Sequence, residues 1–390
     1  MRDEYSDARP IRTIIDPSRT PQIRIAEIMA HKFLVKEIAL QAGVGAATVD
    51  RVLNGRAHVR DHTRRRVEQA IRELEKQARQ LDAAGRKLIV DVLVEAPARF
   101  ADEIGAALDA ELPGLHPAVF RPRLLMRETL GTAEVVEALR AIGKRGSHGV
   151  LLKARDEPAI AEAIAALHAQ GIPVVTIFTD LPGSARLAYA GPDNRVAGAT
   201  AAWLIGQWLG ERSGKVLVTL SDERFRGEEE REISFRRALR SRYPKLGLID
   251  ASGGHGLDAA TGERVHAALG RRREIVAVYS MGGGNAAIVA ALEARRLAPV
   301  CFVGHDLDRD NIRLLREGRL HAVLHHDLRQ DLRAACQHLM HFHRLLPAGA
   351  IAPCSSLVVI TPENIPAHIA ARFAGAGEAP EIDSRRPAIV

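Results

Sequence analysis

The first regular pattern in the chain begins near Val35, where apolar residues recur at helical spacing. Apolar side chains from Val35 to Ala42 share one helical face, and Gly43 then supplies the left-handed residue that commonly ends a helix. The same spacing predicts a second short helix over 46–53, with Val49 facing inward, and a third from 61 to beyond 78. Three short helices with a glycine-containing turn between the first two are typical of a helix-turn-helix head.

From residue 86 onward, short apolar runs alternate with longer helical patterns. Predicted strands lie at 88–94, 118–125, 149–152, 174–178, 216–220, 247–250, 275–280 and 300–304. Predicted helices lie at 132–142, 159–169, 197–209, 229–240 and 286–294. This alternation predicts an α/β fold with parallel sheets covered on both faces. Because nearly 300 residues exceed what one sheet needs, we expect two α/β lobes after a small all-α head.

Charge is distributed unevenly between these two parts of the chain. The formal net charge is +7, and residues 1–81 hold 16 Lys and Arg against 11 Asp and Glu. The N-terminal fifth therefore carries +5, while the remaining 309 residues carry only +2. A basic head on a nearly neutral body is consistent with nucleic-acid binding, although charge by itself is weak support.

Composition excludes several classes of protein. The sequence has no apolar run of about 18 residues that could span a membrane, and residues 1–32 lack the apolar stretch of a secretory signal. Three scattered cysteines, Cys301, Cys336 and Cys354, do not form a disulfide framework or a zinc motif. We expect a cytoplasmic protein without a cofactor. No catalytic spacing is recognisable, so we expect no enzyme, and we expect the histidine-rich stretch at 321–343 to be packed or solvated rather than metal-binding.

Residues 35–74 resemble the DNA-binding head of the LacI family of transcription regulators. The resemblance rests on AGV-x-x-ATV-x-RVLNG, on the V-x-x-x-T-R-x-R-V that follows and on the AI-x-EL ending. It implies that the second helix lies in the major groove, where Arg51 is positioned to donate two hydrogen bonds to a guanine. The implied base-reading residues are Ala46, Ala47, Asp50 and Arg51, and the implied phosphate contacts are Thr48, Asn54 and His58.

Two departures from the family pattern affect the head. Gly45 opens the second helix where the family usually has a capping serine, a loss of only a few tenths of a kcal/mol. After Leu74 about four residues are missing, including the proline that normally precedes the family's A-R-x-L hinge helix. Leu81 of the remaining Ala78-Arg79-Gln80-Leu81 is a candidate minor-groove wedge. A third helix that continues through this segment is an equal alternative.

Residues 87–365 resemble the periplasmic-binding-protein-like type I domain that serves as the sensor of the same family. The matching phrases are Ile172-Pro173-Val174-Val175, Gly191-Pro192-Asp193-Asn194-Arg195, Arg226-Gly227 with Phe235, and Val303-Gly304-His305-Asp306-Leu307. The resemblance implies a two-lobed sensor with three crossovers. It places 87–191 and 320–346 in the first lobe, and 194–318 and 352–365 in the second.

Ligands of such folds lie at the carboxyl ends of the strands. In the family an arginine four residues before an aromatic contacts the ligand, which points to Arg231, with Arg226 as a second candidate. Both arginines could instead pair only with neighbouring glutamates. Asp306 matches the aspartate that accepts hydrogen bonds from sugar hydroxyls. The remaining candidate effector contacts are Phe178, Asp180, Asn285 and His326.

The predicted domain order is an arm at 1–32, a helix-turn-helix domain at 33–77, a hinge or linker at 78–86, the sensor at 87–365 and a flexible tail at 366–390. We expect a transcriptional regulator, a repressor, that binds an inverted-repeat operator as a homodimer. Its operator affinity would be controlled by a sugar or sugar derivative bound between the lobes. The alternative is a solute-binding protein of a transport system, against which the head argues.

Overall fold

A computed structural model describes residues 33–56, 59–83, 86–270 and 274–373. Its contacts divide the chain into a small unit that ends at Ala78 and a larger unit that begins at Arg79. The predicted N-terminal arm, His58 and most of the predicted tail lie outside the described residues.

The small unit is built from three helices: α1 (Val35–Ala42), α2 (Ala46–Leu53) and the first part of α3 (Asp61–Ala83). Its core is the cluster that the periodicity predicts, with Ile38, Val49 and Val67 fully buried. Gly43 ends α1 with φ = 59°, the left-handed conformation that glycine adopts at little cost. A helix-turn-helix therefore forms where the sequence places it.

Helix α3 runs without a break from Asp61 to Ala83 and so includes residues 78–83 of the segment that was expected to be a hinge or linker at 78–86. The sequence between Asp61 and Ala83 contains neither proline nor glycine, so nothing interrupts its backbone hydrogen bonding. Of the two alternatives for Ala78-Arg79-Gln80-Leu81, the structure has the continuous helix as far as Ala83.

The larger unit contains two sheets. The first has the order β2-β1-β3-β4-β5, and all of its strands are parallel. The second has the order β11-β10-β9-β8-β6-β7, with only β11 antiparallel to its neighbour. The strands of the first sheet are β1 (Lys87–Glu95), β2 (Val119–Arg127), β3 (Gly149–Lys153), β4 (Val174–Ile177) and β5 (Ala188–Ala190). Those of the second are β6 (Gly214–Thr219), β7 (Leu246–Asp250), β8 (Ile275–Ser280), β9 (Cys301–His305), β10 (Ala322–His325) and β11 (Val358–Ile360).

Helices cover the faces of the two sheets, as expected for parallel strands that are buried on both sides. They are α4 (Ala98–Glu111), α5 (Thr132–Arg145), α6 (Pro158–Ala169), α7 (Asn194–Leu209), α8 (Arg226–Arg242), α9 (Asp258–Leu269), α10 (Asn285–Ala294), α11 (Arg309–Arg316), α12 (Leu328–Phe342) and α13 (Ala367–Arg372). The chain crosses between the lobes three times: before α7, before α12 and before β11.

Two boundaries predicted from the sequence are wrong. Residues 320–325 were assigned to the first lobe, but β10 pairs with β9 and β11 in the second sheet, and the chain crosses back only before α12. The predicted tail does not begin at 366, because α13 packs Ile369 into the apolar core of the second lobe. Short strands and helices such as β10 and α13 carry too few residues for a clear period.

Candidate functional site

The surface of α2 offers three exposed side chains that could reach a DNA groove. Ala46, Ala47 and Arg51 are exposed, Thr48 is half-buried, and Val49 is fully buried in the head core. Arg51 therefore projects from the helix while Val49 holds the helix in place, as the spacing predicts. Its guanidinium can present a pair of parallel N–H donors to a base edge.

Asp50 and Asn54 of the head are hydrogen-bonded to each other. The Asn54 Nδ2 donates to the Asp50 carbonyl at 2.9 Å and to the Asp50 Oδ1 at 2.8 Å. The Arg56 Nη1 lies 3.3 Å from the Asp50 Oδ2. These contacts offset the charge of the Asp50 carboxylate, whereas the exposed Arg51 side chain makes no hydrogen bond or ion pair with another described residue. The backbone of Leu81 lies in α3, and His58 is outside the described residues.

Side chains from both lobes enclose a cavity of about 70 Å³, called the cleft below. The first lobe contributes Glu95 and Lys153 at the ends of β1 and β3, and Phe178 directly after β4. The second lobe contributes Met281 after β8 and Asp306 after β9. The cleft therefore lies at the carboxyl ends of the strands, the usual ligand position in such folds. Since one water needs about 10–15 Å³ by this measure, the cleft has the size for a small polar molecule.

Four of the seven predicted effector residues line the cleft and three do not. Those in the lining are Phe178, Arg231, Asp306 and His326. Asp180, Arg226 and Asn285 are close in sequence to the cleft but contact other groups, as described below. The structure therefore brings together a subset that spans both lobes.

Arg231 is buried in the second turn of α8, and its guanidinium is held by two hydrogen bonds. Its Nε donates to the Asn194 Oδ1 at 2.7 Å, and its Nη1 donates to the Met281 carbonyl at 2.9 Å. A guanidinium has five N–H donors, so these two bonds leave capacity for a ligand. The alternative in which both arginines pair with adjacent glutamates holds only for Arg226, which contacts Glu229 at 2.9 Å on the surface of α8.

Asp180 and Asn285 are engaged within the protein. Asp180 forms an ion pair with Arg186 and accepts a hydrogen bond from the Thr176 hydroxyl at 2.8 Å. The Asn285 Nδ2 donates to the Asn311 Oδ1 at 2.7 Å beneath the start of α10. Neither side chain lines the cleft in this arrangement, and contact of either one with the effector stays a prediction.

Asp306 and His326 form the polar centre of the cleft. The His326 Nδ1 lies 2.6 Å from the Asp331 Oδ2, and its Nε2 lies 3.5 Å from the Asp306 Oδ1. Asp331 is itself fixed by the Ser355 amide and hydroxyl, at 2.7 and 2.9 Å. The Phe178 ring packs against His326 at 5.4 Å between centroids. The imidazole is thereby held in one orientation beside the carboxylate.

Three non-glycine residues of the cleft adopt a left-handed backbone: Phe178 with φ = 63°, His255 with φ = 52° and Asp306 with φ = 60°. This conformation is uncommon for residues other than glycine, asparagine and aspartate, and it costs more for a bulky side chain such as phenylalanine. Backbone strain of this kind occurs mainly at functional sites, and it persists only where surrounding contacts hold the residue in the strained conformation. Here the Asp306 backbone is held by its own amide, which donates to the Leu324 carbonyl at 3.0 Å, and by its carbonyl, which accepts from the Asn311 Nδ2 at 2.7 Å.

Lys153 and Glu228 line the cleft, although sequence reasoning missed both. The Lys153 Nζ donates to the Glu95 carbonyl at 2.8 Å and lies 4.1 Å from the centre of the Phe225 ring. Burial lowers the pKa of Lys153 and raises the pKa of Glu228, which accepts hydrogen bonds from the Ser221 amide and hydroxyl. The sequence feature that could have identified Lys153 as a cleft residue is its position at the carboxyl end of an apolar strand.

Ion pairs join the two lobes around the cleft. Arg99 of α4 donates to the Gly256 carbonyl at 2.5 Å and lies 3.0 Å from the Asp308 carboxylate. Burial raises the pKa of Asp308 to about 6. Arg155 of the first lobe lies 3.2 Å from Asp222 of the second. The lobes are therefore in a closed arrangement, with the cleft between them.

Five of the six histidines in the 321–343 stretch have hydrogen-bond partners. His326 is held by Asp331, and His341 and His343 contact the carbonyls of Leu346 and His148, at 2.9 and 2.6 Å. The Nδ1 atoms of His321 and His325 accept the amide protons of Phe302 and Leu307, at 3.1 and 3.3 Å. Among the described residues, no group of three or more His, Cys, Asp and Glu side chains is placed to hold a metal ion. In the same part of the chain, no helix has the length and apolarity needed to cross a membrane.

Family models match both parts of the chain. Residues 34–75 match the model of bacterial regulatory proteins of the lacI family, and residues 128–341, over half of the chain, match a periplasmic binding protein domain. A comparison with curated protein sequences finds no match.

Solved structures share the fold of the larger unit at low sequence identity. A glucose-galactose binding protein, GanP, from Geobacillus stearothermophilus superposes with a TM-score of 0.64 at 18% identity, covering 72% of this chain and 99% of its own. A solute binding protein from Agrobacterium vitis, bound with α-D-tagatopyranose, gives 0.64 at 15% identity and covers 74% and 98%. A candidate LacI transcriptional regulator from Bacteroides fragilis gives 0.61 at 15% identity and covers 72% and 98%.

The head at 34–75, the two-lobed unit that follows it in the sequence and the two family models lead to one conclusion. The chain belongs to the lacI family of bacterial regulatory proteins and is a ligand-controlled DNA-binding regulator with a periplasmic-binding-protein-like sensor.

Proposed function

We propose that the ligand of this regulator is a sugar or sugar derivative bound in the cleft, and that it controls the affinity for an operator. The observation that carries this proposal is the placement of Asp306 and Arg231 from one lobe against Phe178 from the other. A carboxylate accepts hydrogen bonds from hydroxyls, a guanidinium donates them, and an aromatic ring packs on the apolar face of a sugar. Structural neighbours that bind glucose, galactose or tagatose support the same class of ligand.

Closure of the lobes gives the ligand a way to act on the head. A ligand shifts an equilibrium only when it binds the two states differently, and the cleft exists in this form only while both lobes contribute to it. Because α3 is one helix from Asp61 to Ala83, we propose that the change passes to the head along this helix and not through a separate hinge helix. A coupling of about 1–3 kcal/mol, several-fold to roughly a hundredfold in operator affinity, is typical.

The proposed DNA-bound form is a homodimer on an inverted repeat, acting as a repressor. One head offers few side chains to the groove, with Arg51 as the main polar one on α2. That is too little for the ~4–10 kcal/mol that separates specific from non-specific binding. Two heads related by a two-fold axis double the readout and require a palindromic operator.

The decisive experiment is a thermal-shift screen of the full chain with D-glucose, D-galactose, D-tagatose, D-arabinose, matched polyols and sugar acids. A ligand of the folded state raises the melting temperature in a concentration-dependent way. The compound that does so should then change operator affinity in a fluorescence-anisotropy titration. A regulator whose melting temperature responds to none of these compounds would contradict the assignment of a sugar.

The second candidate is a solute-binding protein of a transport system, favoured by the solved structures that resemble the larger unit. A solute-binding protein of a transport system would have no role for the DNA-binding head at 34–75. Footprinting distinguishes the two, because a regulator protects a symmetric site of two half-sites while a transport protein protects none. Protection of a single asymmetric half-site would instead contradict the proposed dimer.

A further inference from the structure

A second cavity, larger than the cleft, lies where the chain crosses from β10 to α12. It has a volume of about 400 Å³, within the range of roughly 300–1,000 Å³ found for small-molecule sites. Its walls come from α4, the start of α12, β11 and α13, and it is called the hinge cavity below. His325 lines the hinge cavity while the next residue, His326, lines the cleft. The two cavities are therefore separate and share one backbone segment.

The walls of the hinge cavity are largely apolar. The apolar side chains include Ala107 from α4, Leu328 from α12, Val358 and Ile360 from β11, and Ile369 from α13. The neutral polar side chains Gln330, Ser355 and Ser356 and the imidazole of His368 also line the cavity. Ala107 belongs to the first lobe, and Val358, Ile360 and Ile369 belong to the second. An occupant of the hinge cavity would therefore contact both lobes through apolar surface.

The carboxylates that line the hinge cavity are already engaged. Glu103 is paired with Arg372, whose Nη1 lies 2.5 Å from the Glu103 Oε2. The Asp327 Oδ1 accepts the amide protons of Arg329 and Gln330 at 2.9 and 3.2 Å, which caps α12. Neither carboxylate therefore needs a cationic ligand to balance it.

The donors in the lining are less fully engaged. Arg329 is 41% exposed, and its Nε is 3.9 Å from the nearest Glu111 oxygen, beyond hydrogen-bond length. The His325 Nδ1 accepts the Leu307 amide proton, and burial lowers the pKa of His325 to about 4. The neutral ring therefore carries its proton on Nε2, where it is a donor. Arg372 keeps further N–H donors beside its bond to Glu103.

We propose that the hinge cavity is a binding site for a small organic carboxylate with an apolar body, distinct from the sugar site in the cleft. The carboxylate group accepts hydrogen bonds from Arg329 and His325, and the apolar body packs between Ala107 and Val358. Arg329 and His325 supply the donors that a carboxylate accepts from, and the aliphatic side chains suit an apolar body that leaves no hydroxyl unpaired against them. This proposal does not depend on the identity of the ligand in the cleft.

The test measures binding of hexanoate and benzoate to the full chain by thermal shift and isothermal titration calorimetry. Hexan-1-ol and benzyl alcohol serve as neutral compounds of matched shape. The carboxylates should raise the melting temperature and bind saturably, and the alcohols should do so much less. Loss of the charged partner in Arg329→Met should weaken carboxylate binding by about tenfold or more. Arg333→Met is the control, because Arg333 lies one turn further along α12, also pairs with Glu111 and does not line the cavity.

A filling variant tests the location independently of charge. Val358, at the exposed start of edge strand β11, is 46% exposed, so Val358→Trp narrows the cavity with little change to the core. Val119→Trp makes the same change at the 41% exposed start of edge strand β2 and should retain binding. Asp306→Asn, which alters the cleft, should also retain it. The proposal is overturned if neither carboxylate binds, if the alcohols bind equally well, or if binding survives Val358→Trp in a protein that melts as the wild type does.

Discussion

Asp306→Asn is the substitution that tests the cleft with the least disturbance to the fold. Asp306 has φ = 60°, a conformation that asparagine tolerates as well as aspartate but that alanine would adopt at a cost of roughly 1–2 kcal/mol. Its backbone bonds to Leu324 and Asn311 are independent of the side-chain charge. Asparagine therefore keeps the size and backbone of the site, removes the charge and replaces one carboxylate oxygen with an NH2 group.

The expected loss of ligand affinity follows from the change in hydrogen-bond strength. A hydrogen bond to a charged group contributes about 1.5–3 kcal/mol and one between neutral groups about 0.5–1.5 kcal/mol. The difference of about 1–2 kcal/mol corresponds to roughly 5- to 30-fold weaker binding of a sugar hydroxyl donor. The melting temperature of the unliganded protein should change little, because His326 keeps its contact with Asp331.

The assay is calorimetric titration with the sugar selected by the thermal-shift screen, on wild type, Asp306→Asn and Asp310→Asn. Asp310 is a matched control because it lies four residues away on α11, carries the same charge and does not line the cleft. Equal ligand affinity of Asp306→Asn and wild type would refute the role of Asp306. The same variant is preferable to Arg231→Ala, which would also break the buried bonds to Asn194 and Met281.

Three further outcomes are expected. Arg51→Ala should cost ~1–3 kcal/mol of affinity for the operator and little on random DNA, measured by competition anisotropy; an equal loss on both would make Arg51 a phosphate contact. Gly198→Ala should lower the free energy of unfolding by about 1–3 kcal/mol in urea titrations, because a Cβ there would lie 2.0 Å from the Arg231 carbonyl oxygen. Gly262→Ala is the control and should leave the free energy of unfolding unchanged, because its Cβ would make only an ordinary van der Waals contact. The folded-state pKa of Asp308 is raised to about 6, so its contribution to stability is present below about pH 4 and is lost as pH rises through 6. Wild type should therefore lose melting temperature relative to Asp308→Asn over that interval, and a constant difference would show that Asp308 does not titrate there.

The head could be derived from local patterns alone. The inward positions of α1 and α2, the left-handed Gly43 and the outward Arg51 all follow from helical spacing within about 20 residues. The alternation of strands and helices likewise predicted two α/β lobes. Both results depend on interactions between residues that are close in sequence, which a periodicity records directly.

The content of the cleft depended on contacts between distant segments. Arg226 and Arg231 are five residues apart on one helix and look alike in the sequence. Only Arg231 lines the cleft, where it bonds to Asn194 of α7 and to the Met281 carbonyl after β8. Asp180 pairs with Arg186 and does not line the cleft, whereas Lys153 lines the cleft that the two lobes enclose. Periodicity tells which face of an element is buried but not what that face meets, because the partner comes from tens to hundreds of residues away. The interlobe cleft and the hinge cavity therefore exist only in the folded, two-lobed arrangement.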